Sequence, residues 1–148
     1  MTGSTFLDTS FEAELRALVF LFLLDDAADA DYLGALDTIT VNARTFGVGE
    51  DNLNGTHRLA GGELCTRTTL MQDALRKLAL QGLVKLDDTR VPYSFTITSI
   101  GESIVNQMCS SYAQRFFFIA LDTIERTSGL STNELVGIVG SGSSERGV

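Results

Sequence analysis

Apolar positions recur with helical spacing over most of the chain. Residues 10–24 are predicted to form a helix whose second half is apolar on every side, which is typical either of a core helix or of one that meets a partner chain. Both interpretations remain open. Steps of three and four residues predict further helices at 31–46 and 63–81. A long helix is predicted at 99–124, and a last one begins at Ser131.

Between the third and fourth of these helices the apolar spacing changes to period two. Tyr93, Phe95 and Ile97 alternate with polar residues and predict a strand, which a short turn joins to a strand at 83–87. Gly82 fits the left-handed C-cap of the preceding helix. This order predicts a mainly α fold with a small β-hairpin: a winged helix-turn-helix with long flanking helices.

The domain organisation follows from the same pattern. Residues 1–139 are predicted to form a single winged-helix domain, and the Gly/Ser-rich segment 140–148 is predicted to be a flexible tail. Residues 47–62 contain five glycines and are interpreted as a polar surface loop that could dock a partner. The acidic stretch 25–31 is interpreted as the capping turn of the second helix rather than a metal site, because it lacks the spacing of a calcium loop.

The net charge of -8 changes what such a fold is expected to do. DNA-binding domains usually carry a basic patch, since contacts to phosphates supply most of the non-specific affinity. An acidic body is therefore poorly equipped to bind DNA by itself. The candidate DNA or partner contacts are the polar and basic residues of the third helix and the hairpin, which could equally be a solvated face: Arg67, Thr68, Thr69, Arg76, Lys77, Lys85 and Arg90.

Catalytic and metal-binding motifs are missing from the sequence. It has one histidine and two cysteines, and it shows no His-Glu-x-x-His, Gly-x-Ser-x-Gly or phosphate-loop motif. We therefore expect no enzymatic activity, no metal and no cofactor. Cys65 and Cys109 are interpreted as reduced thiols of a cytoplasmic protein. The apolar run at 18–24 is shorter than the roughly 20 residues of a membrane span, so no membrane association is expected.

Several short features, taken in order, resemble the middle components of bacterial ABC-three-component systems, the group that includes Lamassu-type defence operons. The resemblance covers roughly residues 11–115 and includes the apolar first helix and an Asn-rich loop. Its other features are Leu36-Asp37, Phe46-Gly47, Gly62-Glu63-Leu64, Arg67, Leu70 and Gly82-Leu83-Val84.

The resemblance implies a non-catalytic accessory or adaptor subunit that links an SMC-like ABC ATPase to an effector, often a nuclease, in antiphage or antiplasmid immunity. DNA contact is then expected only in the assembled complex. Excess apolar surface agrees with this role, since aromatic residues are favoured interface anchors. The candidate interface residues are Phe20, Phe22, Phe116, Phe117 and Phe118.

Two other functions remain open. One is a dimeric winged-helix transcription regulator that binds duplex DNA and dimerises through its long C-terminal helix. The other is an enzyme with an unrecognised site near residues 25–31.

Overall fold

The computed structural model describes residues 10–42 and 63–146. In these two ranges the chain forms six helices and one three-stranded antiparallel sheet. The predicted loop at 47–62, the end of the predicted second helix at 43–46 and the first nine residues lie outside the described ranges. The elements are α1 (Ser10–Leu24), β1 (Ala28–Asp29), α2 (Ala30–Val41), α3 (Glu63–Leu80), β2 (Val84–Asp87), β3 (Ser94–Ile97), α4 (Ser99–Asn106), α5 (Ser111–Arg126) and α6 (Thr132–Arg146).

The core lies around α1 and α2. Every residue of α2 from Leu33 to Val41 is buried, and the helix contacts α3, α5 and α6. In α1 the segment from Leu18 to Leu21 is almost fully buried, whereas residues 22–24 are half-buried. The middle of α1 is thus a core helix, and exposed surface remains only towards its two ends. None of the helices in the described ranges is long and apolar enough to cross a bilayer.

The predicted hairpin is confirmed, and a third strand joins it. Strand β3 is central, pairing with β2 on one side and with β1 on the other. Val84 lies opposite Ile97, and Ala28 lies opposite Phe95. Because β1 has only two residues, it shows no alternation from which a strand could be predicted. Tyr93 lies just outside β3 and is exposed.

The connection from α3 into the hairpin and on to α4 is held by local hydrogen bonds. Gly82 has a φ of 78°, and the Leu83 N–H donates to the Leu78 carbonyl, which confirms the predicted C-cap. The Thr98 hydroxyl donates to the Leu83 carbonyl and accepts from the Gly101 N–H. Thr98 is therefore the N-cap of α4, and the helix begins at Ser99.

The predicted long helix at 99–124 is wrong, because the chain breaks it into α4 and α5. The α4 helix ends at Asn106, and the Ser110 hydroxyl accepts from the Ala113 N–H to start a new helix. Helix α6 begins as predicted, since Ser131 and Glu134 form a reciprocal capping pair. It continues to Arg146, beyond residue 140, where we expected a flexible tail to begin.

Helices α2 and α3 approach each other closely at Gly34, and this yields a first prediction. A Cβ at Gly34 would lie 2.9 Å from the Thr68 Cα and would also overlap its hydroxyl. We expect Gly34→Ala to lower the free energy of unfolding by roughly 1–3 kcal/mol in urea denaturation, because overpacking separates the two backbones.

The matched control is Gly137→Ala in α6, where nothing lies within 4 Å of the added methyl group. It should be neutral or stabilise the protein by up to about 1 kcal/mol through helix propensity. Equal effects of the two substitutions would contradict the close approach.

Candidate functional site

A fully buried ion pair joins α1 to α2. The Arg16 Nε donates to Asp37 Oδ1 at 2.7 Å, and its Nη2 donates to Oδ2 at 3.2 Å. Neither side chain is exposed. Burial acts to lower the pKa of Arg16, but the charge of Asp37 and its hydrogen bond outweigh that effect, so the pKa is raised. The guanidinium therefore stays charged in the core, where it needs its carboxylate partner.

The pair extends into a buried charge network that reaches α3 and α5. Arg67 Nη1 lies 3.5 Å from Asp37 Oδ2, and its Nε donates to Glu63 Oε2 at 3.1 Å. Glu63 also accepts from the Asn42 amide at 2.9 Å. On the other side, the Tyr112 hydroxyl accepts from Arg16 at 3.4 Å. We call these residues the charge network: Arg16, Asp37, Asn42, Glu63, Arg67 and Tyr112.

This placement corrects the expectation for Arg67, which we had proposed as a surface contact to DNA or a partner. Its side chain is 3% exposed, because it is drawn inward by two carboxylates. Burial also raises the pKa of Tyr112, which keeps its hydroxyl neutral beside Arg16. The charge network thus holds helices together rather than offering a reactive group.

The other predicted contacts on α3 do not form a basic patch. Thr68 is half-buried against Gly34 of α2. Arg76 and Lys77 are exposed, but Arg76 Nη1 donates to Asp73 Oδ1 at 3.0 Å. The positive charge of Arg76 is therefore partly compensated on its own helix.

The hairpin shows the same mixture of charges. Lys85 and Arg90 are exposed, and both act on the carboxylate of Asp87. Two hydrogen bonds from Thr89 are the main cause that lowers the pKa of Asp87, and the two cations add to it. An ionised carboxylate thus lies among the cations that we proposed as DNA contacts.

The five candidate interface aromatics separate into core and surface. Phe20 and Phe116 are fully buried and meet edge to face, with ring centroids 5.2 Å apart, so their assignment to a partner interface is corrected. Phe22 and Phe117 are half-buried, with centroids 6.3 Å apart. Phe118 is 69% exposed. We call Phe22, Phe117 and Phe118 the aromatic patch, and they line a cavity of about 440 Å³.

A second and larger surface was not predicted from the sequence. A groove of about 710 Å³ lies between α3, the start of α2 and the hairpin. Its apolar rim is formed by four exposed side chains: Leu80, Leu86, Val91 and Tyr93. Leu80 falls outside the buried stripe of Met71, Leu75 and Leu78. In the sequence, this departure was the one indication of an exposed apolar surface on α3.

The acidic stretch before α2 is a capping turn, as expected. The Asp29 carboxylate accepts from the Tyr32 N–H at 2.7 Å and caps the helix. In the part of the chain that the structure describes, no group of three or more residues is placed to hold a metal ion. Cys65 and Cys109 are both exposed and form no disulfide.

These observations define a small helical module with a three-stranded sheet, an internal charge network and two apolar surfaces. Its sequence matches the family model described as "ABC-three component (ABC-3C) system Middle Component 2" over residues 6–146. The chain therefore belongs to this family, which confirms the resemblance and extends it over nearly the whole sequence. No match was found among curated proteins or among solved structures.

The charge network yields a second prediction. We expect Asp37→Asn to lower the free energy of unfolding by about 3–5 kcal/mol, because it leaves Arg16 buried without its counter-charge. Thermal or urea unfolding followed by circular dichroism measures the loss.

The matched control is Asp73→Asn, which breaks the exposed pair with Arg76. A surface pair of this kind contributes up to about 1 kcal/mol. If both variants lost the same small amount, the charge network would not have the structural importance assigned to it.

Proposed function

We propose that this chain is a non-catalytic adaptor subunit that links an SMC-like ABC ATPase to an effector in antiphage or antiplasmid defence of the Lamassu type. The observation that carries the proposal is the family match over residues 6–146, since a middle component is defined by the system in which it acts. The ATPase and the effector supply the chemistry in this proposal, and this chain supplies contacts.

We further infer that residues from α1 to β3 form a winged helix. The order α1, β1, α2, α3, β2, β3 and the strand order β1-β3-β2 support this inference. In such an arrangement α3 takes the place of the recognition helix, and β2 and β3 form the wing. A fold of this kind hosts both DNA-binding and protein-binding functions, so the surfaces must decide between them.

The charged residues support a structural role for the interior. The buried ionisable side chains that the structure describes bond to one another across the interfaces of α1, α2 and α3. The surface supports contacts with proteins, because the aromatic patch places an exposed phenylalanine beside two half-buried ones. Aromatic rings that are already held by neighbours lose little entropy when a partner covers them.

A second candidate function is a dimeric regulator that binds duplex DNA. The strand order and the position of α3 favour it, since this topology is common among DNA-binding domains. The compensated charges of Arg76 and of the hairpin, together with a net charge of -8, oppose it.

The third prediction tests the proposal directly. When the chain is co-expressed with the products of its neighbouring genes, we expect an ABC ATPase subunit to co-elute with it in a fixed ratio in size-exclusion chromatography with light scattering. A chain that elutes alone as a dimer and binds a labelled duplex in a salt-dependent way would instead establish the regulator.

In the same experiment Phe118→Ser should reduce co-elution while leaving the unfolding temperature nearly unchanged, because the ring is already exposed. The matched control is Phe11→Ser in α1, where the phenylalanine is 73% exposed and lies outside the aromatic patch. Equal co-elution of both variants would exclude the aromatic patch as the contact.

A further inference from the structure

The groove beside α3 concentrates exposed apolar surface at one place. The large apolar side chains on its rim are exposed by 83% for Leu80, 88% for Val91, 52% for Tyr93 and 41% for Leu86. Among the described residues these are four of the ten large apolar side chains that face solvent. A contiguous apolar surface of this kind on a small domain is typical of a binding site for another macromolecule.

The groove is acidic at one end. Asp29 and Asp31, at the start of α2, belong to its lining. Arg76 also lines it, but its guanidinium donates to Asp73. An occupant that pairs apolar side chains with the rim and a basic side chain with the acidic end would therefore match both the shape and the charge of the groove.

A DNA duplex does not match this surface. Specific protein–DNA interfaces are polar and strongly positive, and their affinity depends on cations that neutralise phosphates. Here the wing carries Asp87 between Lys85 and Arg90, and the space between wing and α3 is lined mainly by apolar side chains. The space between the hairpin and the C-terminal half of α3 thus has the chemistry of a protein interface.

We propose that the groove between α3 and the β2–β3 hairpin binds an amphipathic segment of a partner subunit. Apolar side chains of that segment lie against Leu80 and Val91, and a lysine or arginine at one end pairs with Asp31. This proposal rests on the proposed function, because it names the surface by which the adaptor holds one of its partners. It is separate from the aromatic patch, which lies on α1 and α5.

The test measures affinity for the ATPase and effector subunits encoded beside this chain, each purified and immobilised for interferometry. Replacing both Leu80 and Val91 by serine should raise the Kd for one subunit by roughly tenfold or more, as expected for anchor residues. Ile100→Ser is the matched control, because Ile100 is 59% exposed on α4 and does not line the groove. It should leave the Kd within about twofold of wild type.

The charge is tested separately with Asp31→Lys, which should raise the Kd for the same subunit by several-fold and more strongly at low salt. The matched control is Glu125→Lys, on the exposed face of α5. Circular dichroism of each variant confirms that the fold is retained, which is expected because all of the substituted side chains are exposed.

The possible outcomes distinguish a failure of the groove proposal from a failure of the proposed adaptor function. If the wild-type chain binds a subunit and the Leu80 and Val91 substitutions leave the Kd unchanged, the groove is not the binding site, while the adaptor function stands. If these substitutions reduced only the binding of a labelled DNA duplex, the groove would be a DNA surface and the proposal would be wrong. Failure of the wild-type chain to bind either subunit would overturn both the proposed function and this inference.

Discussion

The buried contact between Arg16 and Asp37 constrains the whole helical core. A guanidinium without solvent needs a carboxylate at hydrogen-bond distance, and a carboxylate in the same place needs cations. Asp37 meets this need with Arg16 from α1 and Arg67 from α3. Sliding any of the three helices by one turn would separate charges that water cannot reach, whereas apolar side chains alone tolerate many packings. The charge network therefore fixes the register of α1, α2 and α3.

Much of the fold could be predicted from residue patterns, and the exceptions have physical reasons. Long periodic segments gave α1 and α3, and the alternation at Phe95 and Ile97 gave the hairpin. The break between α4 and α5 was missed because apolar residues keep their helical spacing across it, while the Ser110 cap acts on a single backbone N–H. Strand β1 forms because its two residues pair with the edge of β3. This pairing depends on the tertiary structure, so the residues of β1 alone do not predict it.

The candidate sites were less predictable than the elements. Sequence spacing places Arg67 near the polar side of α3, but it does not show that carboxylates from α2 and α3 itself draw the side chain inward. Likewise, the five candidate phenylalanines lie in similarly apolar stretches of sequence. Only tertiary packing distinguishes the buried Phe20 and Phe116 from the exposed Phe118. The groove could not be predicted for the same reason, because its lining combines residues of α3 and the hairpin with the distant residues 29–31 at the start of α2.

The position of α2 between α3 on one side and α5 and α6 on the other has a consequence for synthesis on the ribosome. An emerging chain presents α2 long before Leu135 and Val139 of α6, which help to bury it. Domains generally fold as units, so α2 becomes fully buried only when the helices that cover it have been synthesised. Part of α2 therefore stays exposed until α6 leaves the exit tunnel, and a translation product that stops before α6 is expected to aggregate or to be degraded.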